Sequence, residues 1–208
     1  MSAKAKKTNS RHQQKAQTRS KLKKVAKQSF LTLGIEATNT RAISAQSEVA
    51  VGTFFAHFPD KMTLIKEIFF DEMDASLHQA ANELATSAKP HPCDFLYHYA
   101  HTLFDFYLQY REFTHLVLGQ SLLQKGFFQT QLQVLTQGVM LRFDEVGVDE
   151  SSSRIFAENM VANFQQVLLD MLASQADVKN AWLTRLQLLN RPFEHMYQTA
   201  LARVQSES

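Results

Sequence analysis

Apolar residues return every three or four positions over almost the whole of this chain, and that spacing is what most limits its fold. Leu22, Val25, Ala26, Ser29, Phe30 and Leu33 make one helical stripe, and Gly34 follows where a left-handed C-terminal cap is wanted. The same step recurs at Phe95, Tyr99, Leu103, Phe106 and Tyr110, and again from Ile155 to Met171 and from Trp182 to Leu201. No segment shows sustained strand-like alternation, so the pattern predicts an all-α protein. The predicted helices cover about 18–33, 39–46, 51–57, 61–86, 93–110, 111–124, 126–145, 152–174 and 178–203, with a tight turn over 47–50. Asn39 or Thr38 offers a side-chain cap to the second and Asp60 to the fourth, while Pro59 stops the third.

Composition sets the remaining bounds. With 208 residues, 45% of them hydrophobic, the chain can bury a real core. No run approaches the ~20 apolar residues of a membrane span, and the polar N-terminus has no signal-like apolar segment. A cytoplasmic protein with no membrane partner is expected. A lone cysteine, Cys93, can neither close an internal disulfide nor supply a thiolate zinc site. Charge is distributed unevenly: residues 1–61 hold twelve of the 22 Lys and Arg but three of the 20 Asp and Glu. The basic end is a candidate binder of polyanions, although a basic tail by itself is often merely solvated. Residues 1–17, without Phe, Leu, Ile or Val, are expected to be a flexible basic arm, 18–68 a first domain and 69–208 a second.

Two short helices separated by a turn of three or four residues, with an amphipathic helix before and a capped helix after, match the spacing of a helix-turn-helix. Ile43, Val49 and Phe54 would brace the second short helix so that it can enter a major groove. The residues themselves go further. The run ATNTRAISAQSEVAVGTFFAHFPDK, from Ala37 to Lys61, closely resembles the DNA-binding signature of the tetracycline-repressor (TetR) family, with matches at Thr38, Thr40, Ile43, Val49, Gly52, Thr53, Phe54, Phe55, His57, Phe58 and Lys61. Ala26, Phe30 and Gly34 extend the likeness, which spans about residues 18–68. Three features depart from it: Glu48 stands where the family usually has the turn glycine, Phe55 where tyrosine is usual, and Ser44 and Ser47 where alanine is common.

The resemblance implies a three-helix DNA-binding domain followed by a helical ligand-binding and dimerisation bundle. It implies that Thr40 and Arg41 meet the backbone or an outer base edge, that Val51, Gly52, Thr53 and Phe55 face the groove, and that His57 and Lys61 contact phosphates. The basic arm from Lys15 to Lys24 would follow the neighbouring backbone. Implied partners are double-stranded DNA carrying a palindromic operator, a second copy of the chain through residues 152–203, and a small-molecule effector. The last two predicted helices carry apolar residues on more than one face, which also suits pairing with a copy. The implied action is repression, relieved when the effector binds.

For the effector, aromatic and polar side chains at Tyr97, His101, Phe104, Tyr107, Phe128, Phe164 and Leu168 make a candidate pocket for a planar or hydrophobic compound, although a Phe-rich stripe is more often plain core. No cofactor and no metal are expected: His91, Cys93, His98 and His101 have no closed-site spacing. Glycine-rich phosphate loops, GxSxG elbows and HExxH motifs do not occur in the sequence. The chain therefore reads as a non-enzyme. The alternatives are a helical metal-dependent hydrolase built on His98, His101 and Asp105, and an architectural DNA-binding protein that needs no ligand.

Overall fold

The computed structural model describes residues 2–85, 91–121, 129–174 and 178–207. Its elements are α1 (Ser2–Leu33), α2 (Thr40–Gln46), α3 (Val51–His57), α4 (Lys61–Ala85), α5 (Pro92–Gln109), α6 (Arg111–Ser121), α7 (Gln129–Asp144), α8 (Glu150–Ala173) and α9 (Lys179–Glu207). The described residues contain no strand, and none of their helices is long and apolar enough to cross a membrane. Contacts divide the chain into two units, Met1–Glu72 and Met73–Ser208.

In the first unit, Leu22, Ala26 and Phe30 of α1 are buried, as are Ile35, Ile43, Phe54, Phe58, Leu64 and Ile68, and together they make its core. Each helix end has an identifiable cause. Gly34 takes a φ of 86° and its N–H donates to the carbonyl of Phe30 at 3.0 Å, closing α1. Asn39 accepts from the N–H of Ala42 at 2.9 Å and starts α2. Asp60 accepts from the N–H of Thr63 at 2.6 Å and starts α4. The turn after α2 is a Schellman motif, in which Glu48 N–H donates to the carbonyl of Ala45 and Val49 N–H to that of Ser44, both at 3.0 Å. Its left-handed position is Glu48, with a φ of 55°. The turn glycine that Glu48 replaces thus has a geometric reason, because a β-carbon is unfavourable at that φ. Gly147, at φ 77°, fills the equivalent position after α7.

One expectation is corrected. Helix α1 begins at Ser2, not near residue 18, so the stretch expected as a flexible arm is helical. Ala, Lys and Gln are good helix formers, so an absence of apolar residues withholds a packing face without opposing the helical backbone.

In the second unit α5 lies at the centre and packs against α7, α8 and α9. Phe95, Leu96, Tyr99, Leu103, Phe104 and Tyr107 form its buried side. Two basic side chains of α6 close the end of α8, Arg111 donating to the carbonyl of Ser174 at 3.0 Å and His115 lying 3.1 Å from that of Leu172. Helix α9 runs through Pro192, and side chains of the neighbouring helices attend to nearby backbone: Asn163 donates to the carbonyl of Leu189, and the Cys93 thiol to that of Asn190.

Candidate DNA interface

Helix α3 has two unlike sides. Phe54 is fully buried and Phe58, just past the helix, is too, so together they anchor it. Val51, Gly52, Phe55 and Ala56 are exposed; Thr53 and His57 lie half-buried at the flanks. The four exposed positions follow the i, i+1, i+4, i+5 order of a single helical face. The Phe55 ring stands edge-on to Phe54, with centroids 5.3 Å apart and planes at 80°, so buried packing helps to fix an exposed ring. An added β-carbon at Gly52 would meet nothing within 4 Å, and that part of the face is open. On α2, Arg41 is exposed and Thr40 half-buried.

Arg19 holds the unit's helices in register. Its guanidinium forms a two-pronged bond to the Glu67 carboxylate of α4, donates to the carbonyl of His57 at the end of α3, and lies 4.2 Å above the centre of the Phe58 ring. One side chain of α1 therefore ties α3 to α4. Its role was missed in the sequence, where the available signal is a matched register: basic residues at 19, 23 and 27 and acids at 67, 71 and 72. Lys23 pairs with Asp71 and Lys27 with Glu72, while Lys21 reaches Glu48 at 2.5 Å. Part of the basic tract expected to follow DNA is thus already engaged with carboxylates. The Lys21 hydrogen bond and charge also hold the Glu48 carboxyl below its ordinary range.

Lys61 and His57 have internal roles too. The Lys61 ammonium donates to the carbonyls of Ile35 at 2.9 Å and Thr38 at 3.1 Å, which uses two of its three N–H groups and leaves the third for an external acceptor. The His57 ring is held below the ordinary histidine pKa, first by burial and then by the charges of Arg19 and Lys15. Its Nδ1 is buried without a hydrogen-bond partner. A proton at Nδ1 would be stranded there, which favours the neutral tautomer protonated on Nε2. His57 is then a directed hydrogen-bond donor instead of a positive charge.

The residues expected to line an effector pocket are divided between core and surface. Phe104, Tyr107, Phe164 and Leu168 are buried, with the Phe104 and Phe164 rings stacked 5.7 Å apart at 10°. The Tyr107 hydroxyl donates to Gln131 Oε1 at 3.0 Å, and burial pushes its pKa up, so it stays protonated. Tyr97 is half-buried, on a hollow of about 270 Å³ between α5 and α9 shared with Cys93, Asp94, Thr184, Arg191 and Glu194. His101 is exposed, 3.2 Å from the ammonium of Lys179, which also bonds Asp105. Phe128 lies outside the described residues.

The histidines considered for metal chemistry do not converge. His98 turns to the carbonyl of Ala80 at 3.1 Å, and the described residues contain no group of three or more His, Cys, Asp or Glu placed to hold a metal. Burial, followed by the charges of Glu194 and Asp94, pushes the Cys93 thiol up to about 12, far from the reactive thiolate range.

Comparison with known proteins agrees with this geometry. Residues 23–68, which hold the end of α1, all of α2 and α3 and the start of α4, match the family described as bacterial regulatory proteins, tetR family. No curated protein matches the chain. Among solved structures, one from Mesorhizobium loti MAFF303099, assigned to the TetR-family transcriptional regulators, superposes with a TM-score of 0.62 at 15% identity. The match covers 88% of this chain and 97% of that one, and at this identity it speaks for the fold. Residues 23–68 are therefore similar to the tetR family of bacterial regulatory proteins, and the chain shares the fold of that solved structure.

Proposed function

We propose that the chain is a repressor that binds a palindromic operator as a homodimer and leaves it when a small molecule occupies residues 73–208. The observation that carries the DNA-binding part is the exposed face of α3 on a buried, Arg19-braced footing. Val51, Gly52, Thr53 and Phe55 enter the major groove, and Thr40 and Arg41 stand at its edge. Arg41 has the forked donor that distinguishes guanine. His57 donates one directed hydrogen bond to a phosphate, and Lys61 gives its remaining N–H to another.

Pairing with a second copy through residues 152–203 is supported by exposed apolar side chains on both final helices: Ile155 and Leu169 on α8, and Leu188, Leu189 and Met196 on α9. Scattered exposed apolar residues are ordinary, but two adjacent helices carrying several each favour a covered surface. The effector and the repressing direction rest on resemblance to the family. With Phe104, Tyr107, Phe164 and Leu168 buried, an aromatic or hydrophobic effector seated between the first and third rings would have to part the Phe104–Phe164 stack.

The test is selection of bound genomic fragments by the purified chain at about 150 mM salt, where attraction to phosphate alone is already weakened. One enriched inverted repeat is expected. Arg41→Ala should relax preference at one position by about 1–3 kcal/mol. Recovery of fragments no different from the input would refute operator recognition.

A further inference from the structure

The face that α3 turns outward contains no side chain able to donate or accept a hydrogen bond. Val51 is 37% exposed and Phe55 50% exposed, with Gly52 and Ala56 beside them, and all four belong to one side of the helix. Thr53 and His57 flank that side and are half-buried, while Arg41 stands on α2. Phe55 has no hydroxyl with which to reach a phosphate. Its ring is held edge-on by buried Phe54, and Gly52 leaves room for a close approach of the helix.

The floor of the major groove offers one apolar recognition element, the methyl on C5 of a pyrimidine; every other difference between base pairs there is a donor or an acceptor. A buried face without hydrogen-bonding groups is repelled by unmatched donors and acceptors and favoured by methyls. We infer that α3 reads methyl groups: Phe55 and Val51 form a cradle for the C5 methyl of thymine, or of 5-methylcytosine, and each operator half-site carries that methyl opposite α3. This rests on the DNA-binding reading above and adds the chemistry by which the site distinguishes sequences. Hydrogen-bond reading in the half-site is left to Arg41 on α2, outside the span covered by α3, and to the Thr53 hydroxyl at the flank of the apolar face.

The experiment separates the two levels. Duplexes selected from a random pool by the full-length chain at about 150 mM salt give the half-site. Each thymine is then replaced singly by deoxyuridine, which removes the methyl and leaves every base-pair hydrogen bond intact. Burial of one methyl predicts a loss of about three- to fivefold at one or two positions per half-site. Phe55→Ala, checked for native helicity by circular dichroism, should bind the thymine and deoxyuridine duplexes alike, and Phe55→Leu should keep part of the difference. Tighter binding of 5-methylcytosine than of cytosine at the same position would make the methyl the recognised group in either base. A deoxyuridine loss without that gain would confine recognition to thymine, still through its methyl.

Specific binding that ignores deoxyuridine at every position overturns the inference and leaves operator recognition standing. Full deoxyuridine sensitivity retained in Phe55→Ala overturns the assignment of the cradle. A random pool from which nothing is enriched overturns both the inference and the operator reading on which it rests.

Discussion

Gly138 sits on α7 where the ring of Phe95 from α5 presses against it, and the site allows a stability prediction worked from distances. A β-carbon built at Gly138 would lie 2.2 Å from Cζ and 2.5 Å from Cε1 of Phe95. Carbon atoms in contact rest about 3.5–4.0 Å apart, so Gly138→Ala requires more than about 1 Å of separation. The ring has little freedom to yield. It is buried, the Arg142 guanidinium lies 3.9 Å from its centre, and the Tyr99 ring is 4.9 Å away on the same helix. The α5–α7 contact must therefore open or the ring must leave its rotamer, at a cost of about 2–3 kcal/mol, the upper part of the overpacking range, for so short an approach. Replacing a mid-helix glycine by alanine returns about 1 kcal/mol. The net expectation is destabilisation by about 1–2 kcal/mol, or a fall of several degrees in Tm for a chain of this size.

Trp182, the one tryptophan, lies in the same unit on α9, so its fluorescence during urea unfolding reports on that unit. Protein concentration must be held fixed so that self-association does not shift the midpoint. A double-mutant cycle with Phe95→Leu removes the ring atoms that clash. Alanine at position 138 should cost much less in the Phe95→Leu background than in the parent, with a favourable coupling of about 1 kcal/mol or more. A Gly138→Ala protein at least as stable as the parent, or additive effects in the cycle, would refute the steric reasoning.

Other expectations follow, most of them from the first unit. Glu48→Gly relieves a left-handed φ and frees Lys21, so Tm should rise by about 2–4 °C and DNA binding should strengthen and become more salt-dependent; a lower Tm would contradict the account of the turn. Arg19→Ala should cost about 1–3 kcal/mol and weaken binding to all sequences, and Arg19→Lys should recover little because the forked geometry is lost; full recovery by lysine would show that charge alone matters. His57 and His91 are both held below the ordinary value of 6.5, in each case chiefly by burial, with the carboxylates of Asp94 and Glu194 partly opposing it at His91. Because the unfolded chain takes up these protons first, stability is complete above about pH 6.5 and declines as the pH falls toward the lower folded values. Thermal midpoints from pH 7.5 to 5 should show that decline, and His57→Gln should reduce it; an unchanged profile would remove His57 from the explanation.

Much of the architecture is legible in the sequence because a three- or four-residue apolar step has few other meanings. Gly34, Asn39, Pro59 and Asp60 punctuate the first unit where their side-chain chemistry requires, and α2 and α3 occupy their expected spans. The effector set illustrates the opposite case. An aromatic residue at helical spacing faces inward, but the sequence does not tell whether it meets another ring or empty space. Phe104 and Phe164, sixty residues apart, meet each other. Cys93 is similar: its burial depends on α9, and only the fold brings Asn190 to its thiol.

Charge is where reading by count misleads most. The acid-free first 35 residues suggest an arm free to attract phosphate, yet four of their ten basic side chains, Arg19, Lys21, Lys23 and Lys27, meet carboxylates that come much later in the chain. Each such pair must loosen before it can serve DNA, so it adds less to affinity than an unpaired lysine would. Three of these pairs fix α1 against α4, Lys21–Glu48 ties it to the turn after α2, and Arg19 also holds the end of α3. In the proposed function they exchange some general attraction for a reading helix whose orientation is set before DNA arrives. Preorganisation has most value where the reading face is small and apolar, because a methyl contact is lost over a shorter displacement than the pull of a charge. The engaged basic helix and the hydrocarbon face of α3 are thus two parts of one physical solution.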